Sequence, residues 1–165
     1  MKVFLVVFVL AVSGVVGWYF YCVNPAMDDF QAAALSGKAD IVATYMDVPT
    51  LKKNATDFVK LRFNKPDTPS ADLDPEQIKA IVDAFVTPQN VILMMKGVYL
   101  EPGMTPPETV DDKAPHPMEK HFNGPDVYAI DIYKTPVMTP DNRLTLAFRR
   151  DGWFGWKLAA FGYAW

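Results

Sequence analysis

An α+β fold is predicted by three observations: helix caps and breakers punctuate residues 24–97, a two-residue hydrophobic period takes over in residues 128–161, and turn residues separate the alternating runs. Ahead of these lies an apolar run from Val3 to Cys22. The expected architecture is an N-terminal transmembrane helix, then several short helices packed on a C-terminal antiparallel sheet of three or more strands.

The apolar run has the ~20 residues that a helix needs to cross a bilayer. Lys2 is the only charge before Asp28, so the positive-inside rule puts the N-terminus in the cytoplasm and the rest on the periplasmic or extracytoplasmic side of the inner membrane. Trp18-Tyr19-Phe20-Tyr21 sits where an interfacial aromatic belt would lie. The alternative is a signal peptide cleaved near Ala11-Val12-Ser13, but the run stays apolar well past that point. Lipoprotein processing does not fit, because bulky aromatic residues precede Cys22. The division expected is an anchor over residues 1–23, contacting the lipid bilayer through residues 3–22, and one exported domain over residues 24–165. Cys22 is the only cysteine, so no disulfide supports that domain.

Asn24-Pro25 reads as a helix cap with proline in the first turn, opening a helix that Gly37 ends. A short helix is expected over Ala39–Met46. A third, starting near Asp47-Val48-Pro49, carries Leu51, Ala55, Phe58 and Arg62 on one stripe with Val59 and Phe63 beside it. Residues 64–73 read as a loop. Asp74-Pro75-Glu76-Gln77 is a capping-box pattern before the stripe Ile78, Ile81, Val82, Phe85 and Val86. Thr87-Pro88 restarts the helix through Val91, Ile92, Leu93 and Met95 to Gly97, nearly all apolar and so expected to be buried.

Tyr99 to Asp126 contains six prolines and is expected to be a long irregular connection. Three strands follow. Tyr128, Ile130 and Ile132 alternate with Ala129, Asp131 and Tyr133; Leu144, Leu146 and Phe148 form the next set, and Trp156, Leu158 and Ala160 the last. Pro140-Asp141-Asn142 and Asp151-Gly152 supply turns for an antiparallel meander. By fold analogy this order of helices and sheet resembles the cone-shaped domains of the nuclear transport factor family.

Tyr45 to Lys52, Val82 to Gln89, and Leu146 to Gly152 with Trp156-Lys157-Leu158 resemble, in order and rough spacing, three stretches of a bacterial family, domain of unknown function 2939. The resemblance runs from about Tyr21 to Phe161, with a Pro-rich insert at Glu101–Pro125 and an additional Trp153-Phe154 as departures. It implies a domain boundary and an architecture, with a hydrophobic segment before the first helix. The family carries no established activity, so no catalytic residue follows from it.

Charge argues against nucleic acid as a partner. The chain has a net charge of −3, or −4 without Lys2, and no basic stripe. His116, Glu119 and His121, with Asp111-Asp112, are the only grouping of metal-ligating residue types, and Pro117 breaks any helical ligand spacing, so no metal and no cofactor is expected. No Gly-x-Ser-x-Gly nucleophile setting and no phosphate-binding glycine loop is present.

The last strand is apolar at both parities. If Trp156, Leu158 and Ala160 face the helices, the opposite face carries Phe161, Tyr163 and Trp165, with Trp153 upstream, and these four are the candidate binding residues. Either residues 99–125 cover that face as a lid, or it meets a protein partner or a small apolar ligand. The functional expectation is a membrane-anchored, non-catalytic binding domain. The alternative is a pocket enzyme of hydrolase or isomerase type that uses a buried carboxylate, for which Asp131 is the candidate.

Overall fold

The computed structural model describes residues 2–21, 23–63, 73–107, 116–134, 138, 142–152 and 155–163. Among them the chain forms six helices followed by a four-stranded antiparallel sheet, which is the α+β order expected. The helices are α1 (Lys2–Tyr21), α2 (Val23–Leu35), α3 (Ala39–Thr44), α4 (Val48–Phe63), α5 (Pro75–Phe85) and α6 (Pro88–Met95). The strands are β1 (Met118–Phe122), β2 (Val127–Tyr133), β3 (Arg143–Asp151) and β4 (Gly155–Tyr163), in the sheet order β1-β2-β3-β4. Residues 64–72, Pro140-Asp141 and Cys22, read above as loop, turn and membrane edge, lie outside the described residues.

Along α1 the described apolar side chains run from Val6 to Val15, and all are exposed. Among the described residues no single helix is both long and apolar enough to cross a membrane. α5 and α6 are apolar enough when taken together, with a 56° bend between them. They are core elements, however: Val82, Phe85, Val91 and Met94 are buried within the domain.

α2 starts at Val23, one residue before the expected cap, so Asn24 and Pro25 occupy its first turn. Proline is tolerated there because first-turn N–H groups have no helical acceptor, and Val23 gains full burial. Val23, Met27, Phe30 and Ala34 make the buried stripe at helical spacing. The α5 cap is as expected: Gln77 N donates to Asp74 Oδ1 at 2.8 Å, and Asp74 N donates to Gln77 Oε1 at 3.1 Å. Thr87 caps α6 by accepting from Asn90 N at 3.2 Å. After α6, Gly97 has φ 80°, and a Cβ there would meet the His116 ring at 2.2 Å. Both the left-handed backbone and the close ring require glycine.

α3 ends at Thr44 rather than Met46, because Tyr45–Asp47 extends along the edge of β4. Leu158 N donates to Tyr45 O at 2.6 Å, and Asp47 N donates to Leu158 O at 2.9 Å, forming a parallel bridge at Met46. Asp47 then caps α4, accepting from Thr50 N at 3.2 Å and from Thr50 Oγ1 at 2.7 Å. This connector covers part of an edge strand that would otherwise expose unpaired backbone groups.

The helices cover one face of the sheet. α2 and α4 lie against β4, α6 packs on α2 and α3, and α5 packs on α4. At the centre the Phe30 ring meets Phe148 edge-on at 4.8 Å and Tyr45 at 5.6 Å. Across the strands Tyr128, Phe148 and Leu158 are opposed, as are Ile130, Leu146 and Phe161.

Two expectations are corrected here. The stretch 99–126 is not one irregular connection, because Met118–Phe122 pairs with β2 as an edge strand. The face assignment within β4 also changes. Phe148 opposes Leu158 and Ala147 opposes Ala160, so Ala159 is an extra residue, a β-bulge. The bulge reverses the parity: Trp156, Leu158 and Phe161 share the helix-covered face, whereas Ala160 does not. Phe161 meets the Phe85 ring at 5.3 Å.

Phe161→Ala is therefore expected to cost about 3 kcal/mol, like truncation of other core aromatics. Urea unfolding would measure it, and a loss below ~1 kcal/mol would put the ring outside the core.

Candidate functional site

Of the four residues singled out from the last strand, Trp153, Trp165 and the side chain of Tyr163 lie outside the described residues. Phe161 lines a small cavity between α4, α5 and β4 with Asn54, Ala55, Phe58, Phe85 and Pro102. The cavity holds about 20 Å³, room for about one water. Pro102 thus approaches the helix-covered side rather than the outer face of the sheet. On the far side of Phe85, an open apolar hollow of about 340 Å³ is bounded by Ala80, Ile81, Ala84, Met104 and Pro106.

The outer face of the sheet carries the polar chemistry. Alternation in β2 turns Asp131 away from the core, where it stands between Glu119 of β1 and Thr145 of β3. Asp131 is 1 % exposed. Its Oδ1 accepts from Thr145 Oγ1 at 2.5 Å and its Oδ2 from Arg143 Nη1 at 3.1 Å. His121 Nδ1 lies 3.9 Å from the same Oδ2. Tyr133 donates to Glu119 Oε2 at 3.1 Å, and burial, followed by that carboxylate, pushes the phenol pKa up. Each oxygen of Asp131 thus accepts from a donor of its own sheet and the group is closed to solvent, whereas a general base must reach its substrate.

His116, Glu119 and His121 each have a partner within the domain. His116 Nδ1 lies 3.2 Å from Tyr133 O and its ring is against Gly97, while Glu119 and His121 engage Tyr133 and Asp131. Asp111 and Asp112 lie outside the described residues, and among the described residues no group of three or more His, Cys, Asp or Glu could hold a metal ion.

A second polar place forms where the α3–α4 connector meets the end of the β3–β4 hairpin. An open hollow of about 270 Å³ is lined by Met46, Asp47, Pro49, Arg149, Arg150, Asp151 and Lys157. Arg149 Nη2 lies 3.8 Å from Asp47 Oδ2, and Lys157 Nζ donates to Thr44 O. The Arg150 guanidinium stacks 4.4 Å above the Trp156 ring, with Nε 3.7 Å from Asp126 Oδ1. The hydrogen bond from Thr50 is the main reason the Asp47 pKa is lowered; Arg149 and Lys157 add to it, and partial burial opposes it. Arg149 is the adaptable member of the group: its side chain is 62 % exposed, and an ion pair so exposed is worth only ~0–1 kcal/mol.

No protein-family model, curated protein or solved structure matches the chain. The outer-face network was legible only as the single residue Asp131, since its partners come from three strands. The hollow was hidden because its two sides are about a hundred residues apart in sequence. The mixed carboxylate and cation content of the first and third family-like stretches was its one sequence signal.

Two outcomes follow. Asp131→Ala should cost about 3 kcal/mol in chemical denaturation, because it strands the Arg143 cation in a largely buried setting, and Asp131→Asn should cost less; a cost under ~1 kcal/mol for the alanine variant would mean the carboxylate is not bearing on the fold. For Asp47 the folded pKa is depressed, so its contribution is fully present above the unfolded value of ~3.9 and is lost as pH falls through the lower folded value. Asp47→Ala should cost about 1 kcal/mol at neutral pH, and its gap to the wild type should close in acid melts.

Proposed function

We propose that α1 anchors the chain in a bilayer, and that residues 24–165 form an extracytoplasmic domain binding a protein partner or a small apolar ligand without catalysing a reaction. The observation that carries the anchor is the exposure of α1. Val6, Val7, Phe8, Val9 and Leu10 are consecutive, so at ~100° per residue they point in every direction around the helix, and each is more than half exposed. A helix that is apolar all round, and not covered by its own protein, has a hydrocarbon environment as its natural solvent. At 20 residues it is ~30 Å long, the thickness of the hydrocarbon core.

On this reading the protein is a single-pass inner-membrane protein of the domain of unknown function 2939 family, oriented by Lys2 with its N-terminus in the cytoplasm. Helices closing over one face of an antiparallel sheet support the likeness to nuclear transport factor cones. The apolar hollow beside Phe85, about 340 Å³, is at the lower end of the range for small-molecule sites. The non-catalytic part of the reading draws on Asp131, which is 1 % exposed beneath its own strand neighbours.

Flotation of the full chain with phosphatidylcholine vesicles tests the anchor. The wild type should float and resist carbonate extraction, and the double variant Val9→Arg with Val12→Arg should not, since each cation costs ~3 kcal/mol near a membrane centre. A wild-type chain recovered at the bottom of the gradient would overturn the reading.

A further inference from the structure

We infer that the end of the sheet holding the β1–β2 and β3–β4 turns is the face that the domain presents to the bilayer, and that it rests on a zwitterionic phospholipid surface. The inference rests on the anchor reading and adds an orientation to it. The direction of α2 gives the first step. Asp28 meets Lys120 at 2.7 Å, and Gln31, nearly one turn later, meets Met118 Sδ at 3.5 Å. Advancing along α2 therefore means retreating along β1, away from the turn that follows Phe122. The start of α2, and with it the attachment of α1, lies at the turn end. The β3–β4 turn is at the same end, since Arg150 N donates to Asp126 O at 3.0 Å. α2 has 13 residues and runs ~20 Å, so Ser36 beyond its last residue marks the opposite side of the domain.

The second step concerns distance. α1 does not fold back on the domain, because its described apolar side chains are exposed from Val6 to Val15. Trp18 and Tyr21 are also exposed, at 57 % and 64 %, and such rings partition to headgroup level. From Trp18 to Val23 is five residues along the chain, at most roughly 18 Å, while Val23 is already fully buried in the domain core. Some face of the domain must therefore meet the headgroups, and the course of the chain selects the turn end.

The chemistry of that end suits a neutral surface. Lys120 pairs there with Asp28, Arg149 with Asp47 and Arg150 with Asp126, and Lys157 and Asp151 line one hollow, so anionic lipid gains little. The exposed ring of Phe122 adds an interfacial group. Tethering raises the effective concentration of surface and domain to the millimolar range, so weak contacts suffice.

The test uses the full chain with Cys22→Ser and one new cysteine at Asn123, Ser36 or Lys134, all exposed positions, labelled with an environment-sensitive fluorophore in phosphatidylcholine vesicles. A quencher on the lipid headgroup should quench the Asn123 label several-fold more than the Ser36 or Lys134 labels, and replacing part of the lipid with phosphatidylglycerol should leave that ratio unchanged. Flotation of the same samples reports the anchor separately. Floating protein with equal quenching at all three positions, or stronger quenching at Ser36 or Lys134, overturns the orientation alone. A ratio that appears only with phosphatidylglycerol overturns the neutral-surface assignment. Failure to float overturns the anchor reading, and the orientation with it.

Discussion

The fixing of β4 to the connector between α3 and α4 is the constraint on which the rest of the domain depends. Leu158 exchanges both backbone hydrogen bonds with Tyr45 and Asp47, and immediately afterwards Ala159 bulges out of register with its carbonyl taken by Asn54 Nδ2 at 2.8 Å. A bulge leaves one residue out of the ladder, and a buried carbonyl without a donor costs ~1–3 kcal/mol. Asn54 removes that penalty and ties α4 to the strand at the same point. The consequences spread in both directions. Upstream, Asp47 is set to cap α4 and to stand beside Arg149. Downstream, the reversed parity turns Phe161 into the Phe85 contact instead of leaving it on the outer face.

The outer face follows a different rule from the usual polar, solvated side of an antiparallel sheet. Ala129, Asp131 and Tyr133 of β2 are all buried although they point away from the helices. Small residues alternate with a hydrogen-bonded polar set there, so Asp131 is covered by its own neighbours. Arg143 and Thr145 donate to the buried carboxylate there, and removing either donor leaves the desolvation of the other groups unbalanced. The network therefore ties β1, β2 and β3 together through side chains. β1, short and mostly polar, gains an attachment that its backbone pairing alone would not give.

Helix boundaries were legible where a single side chain decides them: Asp74 with Gln77, Thr87 with its following proline, and Asp47 before α4 all act locally, within a turn. The strands from Tyr128 onward were legible because their core parity is uninterrupted through β2 and β3. β1 was not, since Glu119, Lys120 and His121 give no alternation and prolines bracket them; its strand character comes from pairing with Val127–Tyr133, a tertiary fact. The bulge was hidden for a simpler reason. Ala159 and Ala160 are alike in size and polarity, so neither parity is favoured until Asn54, far away in sequence, supplies the donor. The expected placement of Phe161 on the outer face rested on carrying one parity through that dipeptide.

α2 is the first element of the core, and its buried stripe begins at its first residue, Val23. One residue separates that position from the end of α1, so no long tether stands between the proposed anchor and the core. A long Gly- or Ser-rich tether would let a domain tumble freely at the membrane surface. Here the first core residue follows Tyr21 by two positions, and displacing α2 would expose Val23 and Met27, both fully enclosed. Loss of such contacts costs ~1.5–3 kcal/mol per side chain. On the proposed anchor reading, this packing sets the orientation of the domain, and the sides that α2 leaves open, among them the hollow between α5 and Met104, are those a ligand could reach.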